Sequence, residues 1–295
     1  MRIIANETSG NGAGAAALAE VISILETRKI PFEVCTTIRP GYAADLAGEA
    51  IRNGEREIVG VGGDGTFSEI VDGLAGRSAV LYFVPCGTGN DFVKMLHLPK
   101  NPAEAFLAQL DGKPRLIDVG RVNDRCFLNV SGSGFDVEVL RQAARFKKFG
   151  SGLLPYLLGI FAALRQFRPL TVEMTAEGKT VRKQVTIFSV GNGSYIGGGM
   201  KAVPHAVIDD GLFDVVVADQ MSKWAVPRLL GKFVAGKHTD LPLVHEWRCT
   251  ELTVRCPGMT LDVDGELIPM DEAHYEILPG ALEIRESVGD PLSRS

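Results

Sequence analysis

Three short apolar segments early in the chain each run into small and acidic residues. "RIIAN" leads into "ETSGNGAG" (2–14), "EIVGV" into "GGDGTFSEI" (57–70) and "AVLYFVP" into "CGTGNDF" (79–92). Val- and Ile-rich runs of this length read as strands covered on both faces, and alternation with helical patterns makes them parallel. In open parallel sheets ligands bind outside the carboxyl ends of the strands, which is where these loops fall. The N-terminal part is therefore expected to be a doubly wound α/β domain. Its strands are predicted at 2–6, 32–37, 57–61 and 79–85, with helices near 13–28, 42–52, 66–75, 91–96 and 102–110.

The middle loop satisfies G-x-G-x-x-G at Gly60-Val61-Gly62-Gly63-Asp64-Gly65. A dinucleotide site also needs an acid about 20 residues on, at the end of the next strand, to hold a ribose hydroxyl. Val84, Pro85 and Cys86 stand there instead. What remains is a phosphate cradle, in which glycines let backbone N–H groups approach phosphate oxygens and a helix N-terminus adds a favourable dipole. Asp64 would repel bare phosphate, which points to a Mg²⁺-nucleotide. Taken alone, the loop also reads as an ordinary tight turn with Thr66 as helix N-cap.

From Asp118 the pattern changes. "LIDVGRV" and "CFLNVSG" flank Asn123-Asp124 like a hairpin, and further strand-like runs follow at "LTVEMTA", "VRKQVTIFSVGN", "DDGLFDVVVAD" and "TLDVDGELIP". Strands joined by Gly, Asp and Asn turns indicate an antiparallel β-rich domain, interrupted by helices near 135–147, 153–167 and 222–235. The expected division is 1–117 and 118–282, with 283–295 completing the first domain.

Composition narrows the function. The 295 residues are 45% hydrophobic and 23% charged, ordinary values for a globular protein, and a net charge of −5 argues against nucleic acid as a partner. Five cysteines without a CxxC pair, and a start that reads as a strand rather than a signal peptide, fit a cytoplasmic chain with unpaired thiols. The longest apolar run, "GLLPYLLGIFAAL", contains Pro155 and is too short to span a bilayer. Between Arg141 and Arg168 lie Arg145, Lys147, Lys148 and Arg165 with no acid, around Leu153, Leu154, Leu157, Leu158, Ile160 and Phe161. That segment reads either as a face resting on an anionic membrane or as a core helix with solvated ends.

The stretches "NETSGNG", "GGDGTFSEIVDGL", "PCGTGNDF", "IDVGRV", "GGGMKAVPHAVIDDGLFDV" and "LDVDGE" occur in this order along nearly the whole chain. Together they resemble the diacylglycerol kinase catalytic family, soluble bacterial lipid kinases related to sphingosine and ceramide kinases. The resemblance implies a nucleotide-binding α/β domain, a β-sandwich-like second domain and an active site in the interdomain cleft. It implies transfer of the γ-phosphate of ATP to a lipid hydroxyl, diacylglycerol above all, with Mg²⁺. Nucleotide contacts would come from Asn6, Ser9, Gly10, Thr37, Gly62, Gly63, Asp64, Gly65, Thr66, Phe67, Ser68, Glu69, Thr88 and Asn90, with Asp91 and Asp118 supporting the Mg²⁺-ATP network. A structural Mg²⁺ would be held by the Asp210 side chain and the Val207 and Leu212 carbonyls. Glu266 would be the general base and Asp264 its positioning partner, although Asp-Gly here is also a favoured hairpin turn. Three positions depart from the family pattern: Glu7 for Pro, Ser68 for Asn, and Tyr42 for Asp. The rival readings are an NAD kinase and a catalytically silent nucleotide- or lipid-binding regulator. Peripheral contact with an anionic membrane follows if the basic segment is a surface, and a homodimer is compatible with the sequence.

Overall fold

The early apolar runs form the expected strands. In the computed structural model, which describes residues 1–74, 77, 79–146, 153–222 and 225–286, the chain divides into two compact units. The first is Met1–Val119 with the segment from Gly280 onward, and the second is Gly120–Pro279.

The first unit runs β1 (Arg2–Ala5), α1 (Ser9–Thr27), β2 (Glu33–Thr36), α2 (Tyr42–Arg52), β3 (Glu57–Gly62), α3 (Asp64–Leu74), β4 (Val80–Pro85), a 3-10 turn (Phe92–Leu96) and α4 (Pro102–Leu110). Its parallel strands lie in the order β2-β1-β3-β4, with Ile3 opposite Val59 and Val59 opposite Tyr82. Ile3, Ile4, Val59, Val61, Leu81 and Val84 are fully buried, as a sheet with helices on both faces requires. Ala17, Leu18, Val21 and Leu25 of α1 and Phe106 of α4 pack on one face, while on the other Phe67 of α3 meets Phe83 edge-on at 4.9 Å. Regular helix in α1 begins only after Gly10, Asn11 and Gly12, all left-handed, so the predicted start near residue 13 marks a real change of backbone. In contrast, α3 starts at Asp64, and the Phe67 N–H donates to the Gly63 carbonyl. Gly63 therefore occupies the cap position, and Thr66 is a buried residue of the first turn rather than the N-cap.

The second unit takes in only the end of β5 (Lys113–Val122), then β6 (Arg125–Phe127), β7 (Val130–Gly134), α5 (Phe135–Phe146), α6 (Leu153–Gln166), β8 (Leu170–Ala176) and β9 (Lys179–Gly191). There follow β10 (Tyr195–Ile196), β11 (Met200–Lys201), β12 (Phe213–Asp219), α7 (Val226–Val234), β13 (Val244–Cys249), β14 (Glu251–Val263) and β15 (Glu266–Glu286). Its strands pair antiparallel in the order β13-β12-β9-β7-β14-β15, and β8 joins β9 and β14. Phe127 and Phe213 stack at 5.8 Å in the core, with the Tyr275 ring edge-on to both. Beside the sheet, Phe135 and Val139 of α5 pack against Ile160, Ala163 and Leu164 of α6.

β15 leaves the second unit between Pro279 and Gly280, and its end joins the first unit's sheet, Glu283 and Ile284 pairing parallel with Val80 and Leu81. Past that point the Gln109 side chain takes over the free edge of β4. It accepts the Phe83 N–H at 2.8 Å and donates to the Phe83 carbonyl at 2.7 Å. Among the described residues no helix is long and apolar enough to cross a membrane. Lys147, Lys148 and the tail 287–295 lie outside the described residues.

Candidate active site

The expected site residues fall in both units. In the first, three loops meet backbone to backbone at the carboxyl end of the sheet. A Cβ on Gly63 would stand 2.9 Å from the Gly87 Cα, and one on Gly87 would stand 2.5 Å from the Gly63 Cα. No flexible side chain could yield there, so both positions must be glycine. A Cβ on Gly10 would strike the Cys86 carbonyl, which ties in the loop after β1.

Polar side chains lace these loops. Asn6 donates to the Thr66 hydroxyl at 3.4 Å and accepts from Thr8. Asp64 accepts the Phe92 N–H at 3.2 Å, and the Asn90 amide closes its own loop on both polar groups of Gly87. Lys94 pairs with Asp91 and donates to the Gly89 carbonyl at 2.8 Å. Ser9 lies within hydrogen-bond reach of the Cys86 thiol, whose pKa burial raises. Thr88 and Gly65 are exposed, Gly62 is covered by Thr66, and Thr37 donates its N–H to the Ala5 carbonyl at 2.8 Å.

Three of the expected contact residues are engaged within the protein. Phe67 is a fully buried core residue. The Glu69 carboxylate accepts the Gly41 and Ala43 N–H groups at 2.9 and 3.1 Å, capping α2 and holding the loop that follows β2. Asp118, 2% exposed, accepts the Gly280 N–H at 2.8 Å.

In the second unit Asp264 and Gly265 form the two-residue turn between β14 and β15, with φ of +50° and +92°. Positive φ at both central residues is what a type I′ hairpin demands. The Asp264 carboxylate accepts three successive backbone N–H groups, from Leu128 (2.8 Å), Asn129 (3.0 Å) and Val130 (3.1 Å). The turn residue thus also ties the backbone of 128–130 to the hairpin. Asn129 extends the frame, bonding through its side-chain amide to both backbone groups of Tyr195. Glu266 opens β15 with its side chain 57% exposed, and its Oε2 accepts from Arg125 at 2.6 Å.

Two acids that the sequence did not single out lie behind this turn. Asp262 accepts the Gly265 N–H at 2.6 Å; burial, with the Asp136 charge adding, pushes its pKa well above the usual carboxylate range. Asp136, in the first turn of α5, is pushed up to about 7 by burial, and its Oδ1 has no hydrogen-bond partner among the described residues. Tyr275, 3.1 Å from the Ser131 hydroxyl, is raised by the same burial. Burial raises both carboxyls, and the coupling between them disfavours double ionisation.

In the loop expected to hold a structural Mg²⁺, Asp209 and Asp210 are both exposed, and Asp210 is the expected ligand. Asp210 Oδ1 accepts the Leu212 N–H at 3.1 Å, and its Oδ2 lies 3.5 Å from Arg248. Val207 is 40% exposed. Among the described residues no group of three or more His, Cys, Asp or Glu could hold a metal. The donor set fits a hydrated hard cation with one carboxylate and backbone carbonyls, with Arg248 as a built-in rival for the same oxygen.

Residues 1–122 match the family described as diacylglycerol kinase catalytic domain, and residues 129–286 match the YegS C-terminal NAD kinase beta sandwich-like domain. The chain is 31% identical over 288 residues to a "Diacylglycerol kinase" of Mycobacterium tuberculosis (strain CDC 1551 / Oshkosh), covering 95% of this chain and 93% of that one. It is 32% identical over 264 residues to the "Probable lipid kinase YegS-like" of Pseudomonas putida, covering 88% and 87%. A crystal structure of a diacylglycerol kinase from Bacillus anthracis str. Sterne shares the fold with a TM-score of 0.76 at 22% identity, covering 99% of this chain and 97% of that one. With both matched regions in place and a full-length relative above 30% identity, the chain belongs to the diacylglycerol kinase family and is a lipid kinase.

Proposed function

We propose that this kinase transfers the γ-phosphoryl group of ATP, bound with Mg²⁺, to the free hydroxyl of diacylglycerol, giving phosphatidic acid and ADP. The observation that carries the reading is the anchored turn: three N–H groups hold Asp264 while the neighbouring Glu266 carboxylate stays exposed to an incoming hydroxyl. Phosphoryl transfer asks a protein chiefly to position groups and neutralise charge.

The N–H groups around Gly63–Thr66 and Gly10 are suited to the nucleotide phosphates, and Asp64 and Asp91 to orienting the cation beside them. Mg²⁺ supplies neutralisation of the phosphate charge when bound. Glu266 takes the proton of the acceptor hydroxyl as its oxygen bonds to the γ-phosphorus and the bond to the β,γ-bridging oxygen breaks. Asp264 keeps the turn in register. Val207, Asp210 and Leu212 would hold a second, structural Mg²⁺ away from the chemistry.

Access to a lipid follows from α6. Leu158, Phe161 and Arg165, spaced to share one side of the helix, are exposed, while Ile160, Ala163 and Leu164 pack inward. An apolar and basic face of this kind favours peripheral contact with an anionic membrane.

The test is transfer of radiolabelled γ-phosphate in mixed micelles to diacylglycerol, ceramide, sphingosine and phosphatidylglycerol, with NAD as a separate acceptor and Glu266→Gln beside the wild type. Label in diacylglycerol, lost in the variant, is the expected result. Label in NAD instead, or ATP binding with label nowhere, overturns it in favour of an NAD kinase or a silent regulator.

A further inference from the structure

Glu266 is a poor base on its own terms. Its side chain is long, 57% exposed and carried at the tip of a hairpin, so an unrestrained carboxylate would spread over several rotamers. General-base catalysis needs one geometry, with an oxygen within hydrogen-bond reach of the acceptor hydroxyl.

Arg125 supplies the restraint. It opens β6, one residue past the Asn123-Asp124 turn, on a segment clamped to β15 and to the catalytic turn at both ends. At one end Asn123 makes four bonds to β15: its N–H donates to the His274 carbonyl at 2.9 Å, its Oδ1 accepts the His274 N–H at 2.9 Å, and its Nδ2 donates to the Glu272 carbonyl at 3.1 Å and the Met270 sulfur at 3.7 Å. At the other end Leu128, Asn129 and Val130 give their N–H groups to Asp264. The backbone of Arg125 is thereby fixed against the strand that carries Glu266. From that base its guanidinium donates to Glu266 Oε2 at 2.6 Å, leaving Oε1 as the oxygen that can accept a proton.

We propose that Arg125 is the positioning residue for Glu266, holding one carboxylate oxygen so that the other meets the acceptor hydroxyl. The inference rests on the reading of Glu266 as the base. Arg125 touches neither substrate in this scheme and acts through the carboxylate. A surface ion pair contributes little to stability, so its worth lies in orientation.

The experiment is a double-mutant cycle on the full chain in the mixed-micelle assay, with Arg125→Met, Arg125→Lys, Glu266→Gln and Arg125→Met/Glu266→Gln. Arg125→Met should lower kcat roughly 10²-fold, the usual cost of a slightly misplaced catalytic group. The KM for ATP and the thermal midpoint should stay near wild type, Arg125→Lys should recover part of kcat, and added methylguanidinium should partly rescue Arg125→Met. In the Glu266→Gln background Arg125→Met should cost nothing further. Wild-type kcat in Arg125→Met, or an equal loss in both backgrounds, overturns the proposal while the role of Glu266 stands. Full activity in Glu266→Gln overturns the reading of the base itself, and is seen in a different variant.

Discussion

The glycine loops of the first unit and the Asp264 turn of the second handle charge in opposite ways. The loops around Gly10, Gly63 and Gly87 strip side chains away, so that backbone packs on backbone at the end of the sheet and Gly65 and Thr88 lie exposed beside it. The turn does the reverse. A protein carboxylate, Asp264, already consumes three N–H groups of residues 128–130, and the group we propose for the substrate is the exposed side chain of Glu266. A site that gives hydrogen bonds cannot tolerate added atoms, whereas a site that has used its hydrogen bonds cannot tolerate their loss.

Gly63→Ala should break the first mode most severely. Its new methyl group meets the Gly87 backbone, the loops separate, and ATP affinity should fall roughly 10²-fold, read by equilibrium binding of a fluorescent ATP analogue. Unchanged ATP affinity would mean that the close loop contact does not shape the nucleotide site. Asp264→Ala attacks the second mode, stranding three donors and placing Ala at a positive φ, and should cost about 3 kcal/mol in urea unfolding. Asp264→Asn, which tolerates that φ and keeps an acceptor, should lose less. Neither variant should move ATP affinity, and a shift there would erase the distinction.

Asp136→Asn sharpens the contrast through pH. Burial raises the Asp136 pKa in the folded state to about 7, above its value in the unfolded chain, so ionisation opposes folding. Wild-type stability should therefore fall as pH rises from about 4 through 7, and the melting advantage of Asp136→Asn should grow over that span and level off above it. A pH-independent difference in melting temperature would argue against a buried acid retaining its proton. The smallest effect belongs to the surface. Arg165→Gln should weaken binding to anionic vesicles about fivefold, near 1 kcal/mol, in a sedimentation assay. Binding that does not change removes α6 from the membrane face.

Much of this was legible in the sequence where the signal is local. Val59, Val61, Leu81 and Val84 announced buried parallel strands, and Asp264-Gly265 announced a hairpin turn, because strand burial and turn chemistry are written over a few residues. What depends on tertiary partners was not. Nothing near Glu69 says that it caps α2, since its partners Gly41 and Ala43 lie on another helix. The start of α3 at Asp64 rather than at the Thr66 N-cap depends on the Gly63 carbonyl taking the first bond. Arg125 and Glu266 are 141 residues apart in the chain, and Asp136 has no motif linking it to Asp262. Only the Asn123-Asp124 turn hinted that Arg125 stood on a hairpin.

β15 sets the order in which the molecule can be finished. The first unit's sheet receives its last strand from residues beyond Gly280, which are synthesised after the whole second unit. An emerging chain therefore carries a nucleotide domain with an open edge at β4, shielded only in part by Gln109, until the second unit has been made. The strand that closes that edge begins at Glu266. Completion of the nucleotide domain and arrival of the proposed base thus depend on one strand, and a nascent fragment ending before β15 has neither a closed β4 edge nor Glu266.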